Sequence, residues 1–257
     1  MPRHHDTFDV IIVGAGPAGL FAAHHLSECS SLRVLIVEKG RDVPQRLCPI
    51  KKNLGCMHCV PCNILSGVGG AGLFSDGKLN YIHKLGKTDL TQFMGREQAE
   101  ALILETEAIF NRYGMDGRVY PTDMEAAREI RKRAKKYGID LLIIRQKHLG
   151  SDMLPQHIGR LTQAIKDQGV VVHTMEEARE VRVARGQVTG LVTDKAEYRT
   201  VFASSSHPGS KSLCVRTALR VAPAWSATSL DAFLSSLRPI HWLMLNCTSN
   251  ARSFRFM

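Results

Sequence analysis

Gly14, Gly16 and Gly19 stand in GxGxxG spacing, and a carboxylate, Glu38, follows 24 residues after the first of them. Residues of these types at this spacing are suited to holding a dinucleotide. Gly14 permits a tight turn, Gly16 lets the backbone approach a pyrophosphate, and Gly19 lets a helix pack closely on a strand. The helix begins near Ala18, just after Pro17, and presents free N–H groups and a partial positive charge to phosphate oxygens. Glu38 sits where a carboxylate accepts hydrogen bonds from ribose hydroxyls, and it would repel the 2′-phosphate of NADP. Lys39 follows it and joins the candidate contacts. The unit alone does not separate FAD from NAD.

A second chemical cluster follows. Cys48, Cys56, Cys59 and Cys62 fall as C-x7-C-x2-C-x2-C with His58 among them. Thiolates two residues apart can face one zinc ion or an iron–sulfur cluster. The same residues can serve as a redox dithiol near a flavin, or stand as free thiols in a turn. The spacing leaves all three open, because the usual second CxxC pair is missing.

A glycine-rich run comes next: Gly67, Gly69, Gly70, Ala71 and Gly72, then Ser75-Asp76-Gly77-Lys78. Such a run can lay backbone N–H groups against phosphate or a flat ring. Ser75 and Lys78 are candidates for further polar contacts to the same ligand. The plainer alternative is a surface loop.

The elements that must position these residues read clearly in the first part of the chain. Val10–Val13 is a short β-branched run suited to a buried parallel strand, and residues 32–37 are a second one. Strand, glycines, helix, strand and terminal acid in this order are strong evidence for a βαβ nucleotide unit, where a lone GxGxxG is weak. Arg96–Tyr113 has apolar residues at helical spacing. Asp123 is the expected N-cap of a helix to about Tyr137, stopped by Gly138. That helix carries Arg128, Arg131, Lys132, Arg133, Lys135 and Lys136. No aromatic residues interleave with the charges, so it is read as a solvated face rather than a nucleic-acid surface. Residues 139–144 read as a strand, 152–168 as a helix closed by Gly169, and 170–173 as a third parallel strand. Three further strands, at 178–184, 187–193 and 197–203, form a meander with Gly186 turning the first pair.

The fold class expected is α/β: a Rossmann-like FAD/NAD(P)-binding domain with a parallel sheet, a β-meander crossover and an inserted helical segment. Its expected extent is 1–203, with a Cys/Gly-rich insertion at 46–92 and a helical one at 93–150. The 44% apolar and 23% charged content is that of a globular protein. No run of about 18 apolar residues suggests a membrane span, and the N-terminus lacks a signal-peptide core. A cytoplasmic location is the expectation, with the cysteines as thiols or ligands rather than disulfides.

The formal charge of +10 is uneven. Residues 201–257 hold six Lys/Arg against one Asp, and 11 Ser against six in the first 200 residues. Two readings fit this basic, Ser-rich tail at 204–257. It is a partly disordered arm for an acidic partner, or it is not the original C-terminus, as after a shifted reading frame. The second is preferred, because the meander leads to Ala203-Ser204-Ser205-Ser206 and no cofactor motif returns there.

The strings GAGPAGLFAA, EKGRDVPQR, CMHCVPC, GVGGAGLFSDGKL and HLGSD together resemble a family of FAD-dependent dehydrogenases, often called NAD(FAD)-utilizing dehydrogenases. The resemblance runs from about residue 8 to residue 200, and GGAGxFSDGK is its most specific element. It implies FAD as the tightly held cofactor. Gly14, Gly16, Gly19 and Glu38 would then lie on the ADP half, and Gly69, Gly70, Ala71 and Gly72 nearer the pyrophosphate and flavin. It also implies oxidoreductase activity on a small-molecule substrate that the sequence does not name, with NAD(P)H as candidate reductant. Such enzymes close the FAD site with a later Gly-Asp segment. None occurs in 204–257, so the domain is expected to be incomplete. A catalytically inert FAD- or nucleotide-binding module and a tRNA-modifying flavoprotein are the rival functions. No catalytic acid or base stands out.

Overall fold

The computed structural model describes residues 6–150, 152–184, 187–200 and 254–255. The expectations for the Gly186 turn and for nearly all of the 204–257 tail lie outside the described residues. The described residues divide into two compact units, one built mainly from 6–71 and 158–200 and the other mainly from 72–157.

In the first unit, β1 (Thr7–Phe8) leads into β2 (Val10–Val13), then α1 (Pro17–Cys29) and β3 (Val34–Glu38). β2 and β3 pair in parallel with Val10 opposite Val34 and Val13 opposite Val37. All five residues of β3 are buried, as the continuous apolar run requires of a central parallel strand. β9 (Val171–Thr174) pairs in parallel with its other edge, placing Thr174 opposite Glu38. This is the expected βαβ core, with the strand order β2-β3-β9. α1 buries Leu20, Phe21, Ala23 and Leu26 and packs on β2 and β3.

The meander also forms as expected. β10 (Ala178–Ala184), β11 (Gln187–Thr193) and β12 (Glu197–Thr200) run antiparallel. β12 pairs in parallel with β1, and β13 (Phe254–Arg255) pairs with β10. Phe8, Leu35, Val37, Leu191 and Tyr198 make one buried cluster that joins meander to parallel sheet. The buried Glu176 carboxylate accepts from Tyr198 Oη of this cluster at 2.8 Å and from Thr193 Oγ1 at 2.7 Å.

The second unit holds β4 (Lys78–Tyr81), β5 (Lys84–Leu85), β6 (Thr88–Asp89), α2 (Arg96–Arg112), β7 (Val119–Tyr120), α3 (Met124–Lys136) and β8 (Arg145–His148). The stretch expected to be helical, 93–150, therefore also carries β7 and β8, which join β4 of the preceding stretch in a three-stranded sheet, β4-β8-β7. Asp123 caps α3 as its position predicts, accepting from the Glu125 and Ala126 amides at 2.9 Å each. α3 buries none of its residues. α4 (Leu154–Asp167) follows, ending the second unit and continuing into the first.

One expected strand is wrong. Residues 139–144 are irregular, with Ile139 and Leu142 more than half exposed, and the strand is instead the polar Arg145–His148. The cause is an ion-pair network. Lys147 is buried in β8 and lies 3.4 Å from Glu107 of α2, which also pairs with Arg145 at 3.0 Å. Among the described residues no helix is long and apolar enough to cross a membrane.

Candidate functional site

The site grows out of the β2–α1 turn. Gly14 has φ +97°, and its amide donates to Val37 O at 2.8 Å, so the turn is fastened to β3. A Cβ on Gly19 would lie 2.0 Å from Gly14 O and 3.3 Å from Ile12 Cγ2, which is why only glycine lets α1 come this close to the strand. Chain neighbours aside, a Cβ on Gly16 would meet nothing within 4 Å among the described residues. The first turn of α1 has no side-chain cap and no acidic residue. The amides of Gly16, Ala18 and Gly19 meet no acceptor among the described residues. A helix start left unsatisfied beside open space is what an anionic ligand would complete.

Glu38 is buried at the end of β3. Its Oε2 accepts from the Ala15 amide at 2.8 Å, and its Oε1 accepts from the Gly40 and Gly67 amides at 2.7 and 2.9 Å. One carboxylate thus ties together the glycine turn, the chain leaving β3 and the glycine-rich segment. An ionised carboxylate has about four acceptor positions. Three are used here by the protein's own amides.

The glycine-rich segment docks directly on the first turn. The Gly69 amide donates to Ala15 O at 2.8 Å and the Gly70 amide to Gly67 O at 2.9 Å. A Cβ on Gly70 would sit 3.3 Å from Pro17 Cδ and 3.4 Å from Gly16 Cα. These two amides are spent inside the protein, so what Gly69 and Gly70 contribute is close backbone approach rather than N–H groups for a phosphate.

Two residues essential to this arrangement escaped the sequence reading. Gly40 leaves no room for a side chain, since a Cβ there would lie 2.3 Å from the Gly67 amide nitrogen. Arg46, only 3% exposed, sends its guanidinium into the 63–70 segment. Nε donates to Asn63 O at 2.9 Å, Nη2 to Ile64 O at 2.7 Å, and Nη1 to Val68 O and Gly70 O at 2.8 Å each. Burial pushes the guanidinium down to about 10, against the opposing pull of Glu38 and Cys62, so it remains a cation at neutral pH. Arg46 lies within the EKGRDVPQR string, but no local pattern distinguishes a buried arginine from a surface one.

The other predicted residues fall as follows. Lys39 is exposed beside the buried Glu38 and Gly40. Ala71 closes the first unit, while Gly72, Ser75 and Lys78 belong to the second. Ser75 Oγ donates to Gly72 O at 2.8 Å, and Lys78 Nζ pairs with Asp76 at 2.9 Å. That hydrogen bond from Lys78 holds Asp76 below the ordinary carboxylate value. Both side chains thus have local partners. Cys48, Cys56, Cys59 and Cys62 are free thiols, with Cys56 and Cys59 exposed. Among the described residues no three His, Cys, Asp or Glu gather to hold a metal ion.

Residues 8–109 match the pyridine nucleotide-disulphide oxidoreductase family. The matched stretch contains the glycine turn, Glu38, Arg46 and the glycine-rich segment, and with them four of the five strings that carry the resemblance; HLGSD at 148–152 lies outside it. An uncharacterised protein of Clostridium beijerinckii is 41% identical over 71 residues, 27% of this chain and 13% of its own length. The mitochondrial electron transfer flavoprotein-ubiquinone oxidoreductase of Dictyostelium discoideum is 53% identical over 47 residues, 16% of this chain and 8% of its own. Among solved structures, L-amino acid deaminase from Proteus vulgaris is 18% identical at a TM-score of 0.41, covering 78% of this chain and 47% of that one. Glycine oxidase from Bacillus cereus is likewise 18% identical, at a TM-score of 0.43, covering 75% and 53%. The chain spans about half the length of these solved chains and a small fraction of the curated relatives.

Proposed function

We propose that the first unit binds FAD through its ADP half and that the chain is part of a flavin-dependent oxidoreductase. The observation that carries this reading is the uncapped start of α1, where Gly16 faces open space beside the Glu38 carboxylate. The fit is chemical as well as spatial. Unsatisfied amides and the helix dipole suit a diphosphate, and the remaining acceptor on Glu38 Oε2 suits one ribose hydroxyl. A 2′-phosphate beside that carboxylate would be repelled, which disfavours NADP as the occupant.

FAD is preferred over NAD on the GGAGxFSDGK string and on the matched flavoprotein relative. When bound, the flavin supplies hydride or electron transfer between a donor and an acceptor. The chain's own residues bind and orient it. Gly16, Ala18 and Gly19 present amides, Glu38 holds the ribose and the glycine turn in one register, and the 67–70 segment walls the turn from the side. NAD(P)H is the proposed reductant.

The purified full chain tests this. An absorbance band near 450 nm, the usual place for oxidised flavin, that bleaches with NADH supports the reading. Bound flavin that no nicotinamide reduces supports a binding module instead, and no flavin association at all removes both.

A further inference from the structure

We infer that Arg46 is a positioning residue for the diphosphate, because its guanidinium takes up the carbonyl oxygens of the Gly67–Gly70 turn that packs against the start of α1; this rests on the dinucleotide reading above. Three facts lead to it. The turn carries positive φ at Gly67, Gly69 and Gly70 (+123°, +89° and +62°), so its peptide groups depart from any regular ladder and their carbonyls need a dedicated donor. Arg46 is that donor: Val68 O and Gly70 O each receive Nη1 at 2.8 Å, with Gly67 O at 3.5 Å, while Nε and Nη2 fix Asn63 O and Ile64 O just upstream. Gly70 meanwhile lies against Gly16 and Pro17, the residues that open α1.

The electrostatic consequence is specific. Carbonyl oxygens are partial negative charges, and a turn crowded with them beside a helix start would repel a diphosphate. Spent on a buried cation, they do not. Glu38 completes the arrangement from the other side by accepting the Gly67 amide at 2.9 Å. Lysine cannot substitute, because a point ammonium with three donors cannot span five carbonyls that the planar fork reaches at once.

The test is isothermal titration of FAD into the full chain, comparing wild type, Arg46→Lys and a control, Leu161→Ala. Leu161 is a fully buried α4 residue, so its truncation lowers thermal stability while leaving in place Arg46 and the donors it gives the turn. The expected result is that R46K weakens FAD binding at least tenfold, while L161A, with an equal or larger drop in Tm, stays within threefold of wild type. An R46K affinity within threefold of wild type overturns the proposal, as does an L161A loss equal to that of R46K. Should R46K not fold, Gly70→Ala supplies the second arm. It leaves Arg46 in place but strains a positive-φ residue of the turn and crowds Pro17 Cδ and Gly16 Cα at 3.3 and 3.4 Å, so it must show the same tenfold loss, and an unchanged affinity is equally fatal. Wild-type chain that binds no FAD overturns the dinucleotide reading itself, an outcome distinct from a bound FAD indifferent to Arg46.

Discussion

The Glu38 carboxylate accepts the Ala15 amide at 2.8 Å across 23 residues of sequence, fastening the β2–α1 glycine turn to the end of β3. The same side chain holds the Gly40 and Gly67 amides. It is therefore a structural hub as well as a candidate ligand contact, and the two roles make separable predictions.

Glu38→Ala leaves three buried amides without an acceptor. At roughly 1–3 kcal/mol for each buried group left unpaired, we expect a loss of at least about 3 kcal/mol in chemical denaturation. Glu38→Gln keeps the shape but turns a donor toward one of the amides, and is expected to cost about 1–3 kcal/mol. A stability for E38A within 1 kcal/mol of wild type would contradict the hub.

Gly19→Ala places a methyl group 2.0 Å from Gly14 O. α1 must shift off β2, so the variant should lose roughly 1–3 kcal/mol of stability and its dinucleotide affinity together. Denaturation and titration of the same preparation check both.

The second unit depends on a buried cation. Lys147→Met leaves the mostly buried Glu107, among the described residues, with the half-exposed Arg145 as its remaining ion partner. A cost of about 3 kcal/mol is expected, the lower end for breaking a buried pair. A stability change under 1 kcal/mol would show that Arg145 and water suffice.

Two tyrosines should respond to alkali. Burial, and then the neighbouring Glu107 charge, raises Tyr81 well above its ordinary value of 10.0. Burial, and then its hydrogen bond to Glu176, does the same for Tyr198. A folded-state value raised above the unfolded one means that the native chain keeps protons the unfolded chain has released. Stability from these groups is full below pH 10 and is lost as pH rises beyond it. Ultraviolet titration should show two of the five tyrosines ionising only with unfolding, and Tyr198→Phe should leave one.

Much of this molecule is legible in its sequence because the signals are local. The β2–α1–β3 unit follows from an apolar run, fixed glycine spacing and a second run. The α3 start follows from Asp123, whose cap is a two- to three-residue interaction. What is not legible is set by contacts far apart in the chain. Gly40 must be glycine because of Gly67, 27 residues on. Arg46 is buried because carbonyls 17 to 24 residues downstream receive it. β8 is polar and was missed because its place is fixed by Glu107, 38 residues upstream of Arg145, while the apolar 139–144 run beside it imitates a strand without forming one.

The account stands most directly on Gly16. Chain neighbours aside, a methyl group there meets no atom of the described residues within 4 Å, so Gly16→Ala should leave the denaturation midpoint essentially unchanged. It would, however, intrude on the space assigned to the diphosphate. Calorimetric titration of FAD into both proteins should give tight binding to wild type and at least tenfold weaker binding to G16A. Equal affinities, or no binding to either, would contradict the placement of a dinucleotide at the start of α1.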